Sequence, residues 1–179
     1  MAVLVEGISV VIRNEAITSG YEGGMRAFAA EVPNLTLCSD GELTRVGFTN
    51  PVDVKAYVQL LERRGLRYVE QNAAVDLVVV DQRSGFLAKC SWAGFGHSAW
   101  PGAPERRVAV CYAIPTAHAD GIVVPETWKY EGSLSEQHRF VETDKLDETM
   151  KFLRHEEGVD VYLDPDTGKE LYVGRSGAD

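Results

Sequence analysis

Apolar positions fall in short runs, and their spacing predicts the elements. Val3, Val5, Ile8, Val10 and Ile12 read as a first strand, bulged at Gly7. Met25, Phe28, Ala29 and Val32 recur at helical spacing within 22–32, and Pro33-Asn34 stops that helix. Leu35–Cys38 and Leu43–Phe48 flank the turn Ser39-Asp40-Gly41-Glu42, a hairpin signal. The clearest helix covers 51–64. Asn50 caps it, Pro51 suits its first position, and Val54, Tyr57, Val58 and Leu61 form its buried stripe before Gly65.

Strands follow at Tyr68–Glu70 and Ala74–Asp81. The second is apolar on both faces and therefore central. Residues 83–106 are rich in Gly, Ser and Pro and read as a long loop, with Arg107–Ile114 returning as a strand. Asp144 caps a second helix through Arg154, with Leu146, Met150 and Leu153 on one face. Val159–Leu163 and Glu170–Val173 close as a hairpin. The helix–Gly–strand order of 54–70 recurs loosely in 146–163, a possible weak duplication. Hairpins with interspersed helices predict an α+β fold: an antiparallel or mixed sheet with two to three helices packed mainly on one face. A chain of 179 residues fits one domain, taken as 1–179.

Composition narrows the function classes. Apolar residues are 45% and charged residues 25%, values of an ordinary globular chain. The net charge is −9, and residues 126–179 hold 14 acidic against 7 basic side chains, so most of the excess lies there. Arg63, Arg64 and Arg67 and the pair Arg106, Arg107 are the basic clusters, too few for a phosphate-binding face. Nucleic acid and membrane are not expected as partners. Cys38, Cys90 and Cys111 are odd in number and widely spaced, against a disulfide framework or zinc ribbon. The start of the chain has no basic region ahead of its apolar run, so a reducing, cytoplasmic setting is expected.

No GxGxxG, GxxxxGK[ST], HExxH or GxSxG pattern occurs. Unusual side chains instead concentrate in 86–128, which holds Trp92, Trp100 and Trp128. Trp92, Phe95, His97, Trp100 and Tyr112, with His118 at the edge, form the candidate ligand-binding set. Rings with polar tips set among glycines suit a pocket for a small molecule or a partner's side chain. The competing reading is a loop folded over the sheet with its rings plugging the core.

Cys90 with His97 does not make a fixed nucleophile–base pair, since seven residues of loop separate them. His97, His118 and Asp120, with Asp81 or His138, could form a facial metal set, yet the spacing fixes none of them, and no metal or cofactor is assigned. Asp164-Pro165-Asp166-Thr167-Gly168 resembles half a calcium loop but lacks the closing Glu and reads as a turn.

Three functions are therefore carried forward. The first is a binding module for a small molecule or protein that uses the aromatic segment. The second is an enzyme with a His/Asp site, metal-assisted or not, which divalent-metal titration would reveal. The third is a regulatory or immunity-type protein that meets a basic partner through its acidic face, where salt would weaken capture.

Overall fold

In the computed structural model the described residues are 1–114, 121–137, 151–156, 159–163 and 170–174. The elements run β1 (Ala2–Val5), β2 (Ile8–Arg13), α1 (Asn14–Gly20), α2 (Gly24–Ala30), β3 (Cys38–Ser39), β4 (Leu43–Phe48), α3 (Pro51–Arg63), β5 (Val69–Glu70), β6 (Ala73–Ala74) and β7 (Leu77–Asp81). They continue with β8 (Gly85–Phe86), β9 (Ala93–Trp100), β10 (Ala103–Ala113), β11 (Ile122–Val123), α4 (Leu134–Gln137), β12 (Lys151–Glu156), β13 (Val159–Leu163) and β14 (Glu170–Gly174). The fold is α+β. The chain groups into two compact units, Met1–Gln137 and His138–Asp179.

The first unit holds two main sheets. A five-stranded antiparallel sheet has the order β3-β4-β2-β7-β8. On one face Val10, Ile12, Val46, Phe48, Leu77 and Val79 pack against Ile17, Phe28, Tyr57, Val58 and Leu61 of the three helices. The cap of α3 is as predicted: the Asn50 side chain accepts from the Val52 N–H at 2.9 Å, and Pro51 opens the helix. At the other end of α3, Arg64 Nε donates to Glu31 at 2.9 Å, and Glu31 also accepts from the Tyr21 hydroxyl, tying α2 to α3. The opposite face carries Ser9, Val11, Arg45, Val78 and Val80, all buried. β1 of the second sheet lies against β3 and β4 on this side.

That second sheet has the order β11-β1-β10-β9, with β11 parallel to β1 and the rest antiparallel. The predicted first strand is thus two strands in two sheets. Gly7, at φ +61°, makes the switch, and a Cβ there would lie 2.6 Å from the Phe48 carbonyl oxygen. What reads as a bulge in sequence is a crossover, because alternation alone does not say which sheet each half joins.

Two further expectations are corrected. Residues 83–106 are not a long loop: they hold β8, β9 and the start of β10. The chain turns at Pro101-Gly102, where Trp100 pairs with Ala103 and Gly102 has φ +80°. Residues 151–154, expected at the end of a helix, belong to β12, which pairs with β13 and places Phe152 opposite Tyr162. Sheet pairing outweighs the local helical spacing over 151–154; 144–150 lie outside the described residues. The predicted hairpin of Val159–Leu163 with Glu170–Val173 is present as β13–β14.

Candidate functional site

The β9–β10 hairpin decides where the candidate residues stand, because its pleat alternates. Ala93, Phe95, His97 and Ala99 share one face with Ala109 and Cys111 and, on β1, with Val3 and Val5. Gly94, Gly96, Ser98 and Trp100 share the other with Tyr112, Val110, Val108 and Leu4. The aromatic set expected in one place is split by the sheet.

On the inner face Phe95 stands edge-on to Phe86 at 6.2 Å and to His97 at 5.5 Å. Burial, then the Arg107 charge, lowers the His97 pKa below its ordinary value. Trp92, just before β9, donates its indole N–H to the Ala74 carbonyl at 3.1 Å and serves the junction with β6. Burial pushes up the thiols of Cys90 and Cys111, the opposite of what a nucleophile requires.

The outer face is different. Tyr112 lies directly over Gly94, where a Cβ would strike its ring. At Gly96 a Cβ would meet nothing within 4 Å among the described residues. Farther along the strand Trp100 meets Trp128 at 4.9 Å, and Trp128 meets Tyr130 edge-on at 6.3 Å. Trp100, Tyr112, Trp128 and Tyr130 are half-buried and cover Leu4, Val108 and Val110. The Arg106 guanidinium sits 4.9 Å above the Tyr130 ring and bonds Glu131 at 2.6 Å. This face thus carries Tyr112 over Gly94 at one end and the tryptophan pair at the other, with Gly96 and Ser98 between them.

The ring pair is fixed from the sheet crossover. Trp128 Nε1 donates to Glu6 Oε2 at 2.7 Å, and the Ser135 N–H donates to Glu6 Oε1 at 3.1 Å. The Glu6 carbonyl accepts from Arg45 Nη2 at 2.7 Å. Gly7 N–H donates to Gln82 Oε1 at 2.9 Å, and Gln82 Nε2 donates to Ser135 Oγ at 3.2 Å. Arg45 itself is 2% exposed and also donates to Ser9 Oγ at 2.8 Å and to the Thr36 carbonyl at 3.2 Å. Its buried charge is therefore met by neutral acceptors that point at it.

His118, Asp120 and His138 lie outside the described residues. Asp81 is occupied as a turn acceptor, taking the N–H groups of Arg83 and Ser84 at 2.9 Å each. Among the described residues no three His, Cys, Asp or Glu side chains converge as metal ligands, and no helix is long and apolar enough to cross a membrane. Sequence reasoning missed Glu6, Arg106, Trp128 and Tyr130. The spacing of Trp128 and Tyr130, two apart, was the available signal, since it puts both rings on one side of an extended segment. Comparison with protein-family models, curated proteins and solved structures found no match.

Proposed function

We propose that the protein is a non-enzymatic binding module of the cytoplasm whose contact element is the outer face of β9–β10. A flat apolar group, from a small molecule or a partner protein's side chain, lies across Gly96 between Tyr112 and Trp100. The observation that carries this reading is the absence, among the described residues, of any atom over Gly96, beside Trp100 packed on a Trp128 that Glu6 holds. Rings fixed in advance lose little entropy when a ligand packs on them. His97 takes no part in this contact, because it faces the interior, away from Tyr112. The three unbridged thiols suit a reducing compartment.

Indole and naphthalene serve as probes, titrated against the full chain and followed by amide chemical shifts. The reading expects shifts grouped at Gly94–Ser98 and Tyr112, and their loss in Gly96→Leu, whose side chain takes the place of the ligand. Shifts scattered over the surface, or unchanged binding by Gly96→Leu, would contradict it.

A further inference from the structure

The charges around the rings say which kind of ligand they suit. Trp128 donates its indole N–H to a carboxylate oxygen of Glu6 at 2.7 Å and lies against Trp100 at 4.9 Å. An anion bonded in the ring plane polarises the indole and makes its faces more negative. The same cluster already holds a cation, since the Arg106 guanidinium lies 4.9 Å above Tyr130. That charge is answered locally: Arg106 bonds Glu131 at 2.6 Å and stands 3.8 Å from Glu105. Glu136 accepts from the Gly132 N–H, next to Glu131. Glu6, Glu105, Glu131 and Glu136 are thus set around the rings against the cations Arg106 and Lys129. Arg107 donates to the His97 carbonyl at 3.4 Å and belongs to the inner face by its pairing with Ala99.

We infer that the flat group received between Tyr112 and Trp100 carries a positive charge: the ligand is a small heteroaromatic cation, a ring whose nitrogen is alkylated. This rests on the binding reading above and names its ligand class. A cation is drawn to the face of an aromatic ring, most strongly to tryptophan. The Glu6 charge acts on it through a packed ring pair rather than through water, where it would be screened. A charge spread over an alkylated ring also leaves water at less cost than a compact ammonium. Gly96 has no side chain, so a planar group can lie close to the backbone beside Trp100. An arginine side chain wants a carboxylate fork as well as a ring, which Glu131 and Glu105 give to Arg106. An alkylated ring nitrogen has no N–H to donate and needs ring faces alone. An anionic ring would meet the Glu6 carboxylate behind Trp128 as a like charge.

The test compares two probes of one shape, N-methylquinolinium and 2-methylquinoline, at a mildly alkaline pH where the second is neutral. Each is titrated against the full chain and followed by amide chemical shifts. Both should move Gly94–Ser98 and Tyr112, with the cation binding about fivefold more tightly. In Glu6→Gln the amide oxygen still accepts from the Trp128 N–H but brings no charge, so the ratio of the two affinities should fall toward one. If Glu6→Gln loses its circular-dichroism spectrum, Glu131→Gln serves instead. Its side chain is 66% exposed, and removing its charge leaves Arg106 less compensated, so the ratio should fall there too. Equal affinities, a preference for the neutral ring, or a ratio that the folded variants leave unchanged overturns the inference. So does tetramethylammonium reproducing the shifts at equal concentration, which would show a response of the acidic surface to any cation. Neutral binding at Gly94–Ser98 without a cation advantage overturns the inference alone. Neither probe shifting those residues overturns the binding reading with it.

Discussion

The two sheets of the first unit are built to different standards of closure. The five-stranded sheet is buried on both faces, under helices on one side and against β1 on the other. The four-stranded sheet is closed only inward. Its outer face is covered by half-buried rings, with two glycines on the edge strand. Full closure uses mostly β-branched residues, as in β2 and β7; partial closure uses rings and glycine. The difference separates a scaffold from a surface able to receive something.

Substitution should break or sharpen this contrast. The largest effect is expected at Leu77, fully buried beneath the helices. Leu77→Ala should cost about 2–5 kcal/mol by leaving a cavity. Trp100→Ala, on the open face, should cost only about 1 kcal/mol, since a half-buried ring loses part of its transfer energy. Urea midpoints at unchanged m-value measure both, and equal losses would show that the outer face is as much core as the inner. Next in size, Asn50→Ala should cost about 1 kcal/mol through the lost cap of α3. An unchanged midpoint would mean that the helix layer is held by packing alone.

The smallest effect is kinetic. Cys90 is partly exposed, whereas Cys111 is fully buried on the inner face of the four-stranded sheet. At neutral pH a thiol reagent should modify Cys90 first and reach Cys111 only through unfolding. Comparable rates would mean that this sheet opens locally while the other stays shut.

The same contrast governs what could be read from the chain. α3 was legible because its cap, its proline and its stripe all agree. β7 was legible because Leu77–Val80 are apolar on both faces. β9 was not: its alternation sets glycine and serine against phenylalanine and histidine, which a hydrophobic pattern does not register, and Pro101-Gly102 was read as loop composition rather than as a turn. The ring residues Trp92, Phe95, His97, Trp100 and Tyr112 were singled out by type, but only the ladder register shows which face each one takes. Residues 14–20 were missed because that helix is short and follows β2 directly. Glu6 could not be foreseen, since its partners Trp128 and Ser135 stand more than 120 positions away.

The crossover at Gly7 also sets an order of events in time. β2 finds its partners in β4 and β7, and β8 ends at Phe86, so the five-stranded sheet can assemble once residues near 86 have been made. β1, which begins six residues earlier in the chain, pairs among the described residues with β10 and β11, and must wait until residues 109–123 exist. During synthesis the segment Ala-Val-Leu-Val is therefore left unpaired beside a partly finished molecule. Distant pairings of this kind close slowly and expose apolar surface meanwhile. A ribosome stalled between those points would hold a nascent chain with one sheet made and its first strand still adhesive, a natural point for a chaperone to engage.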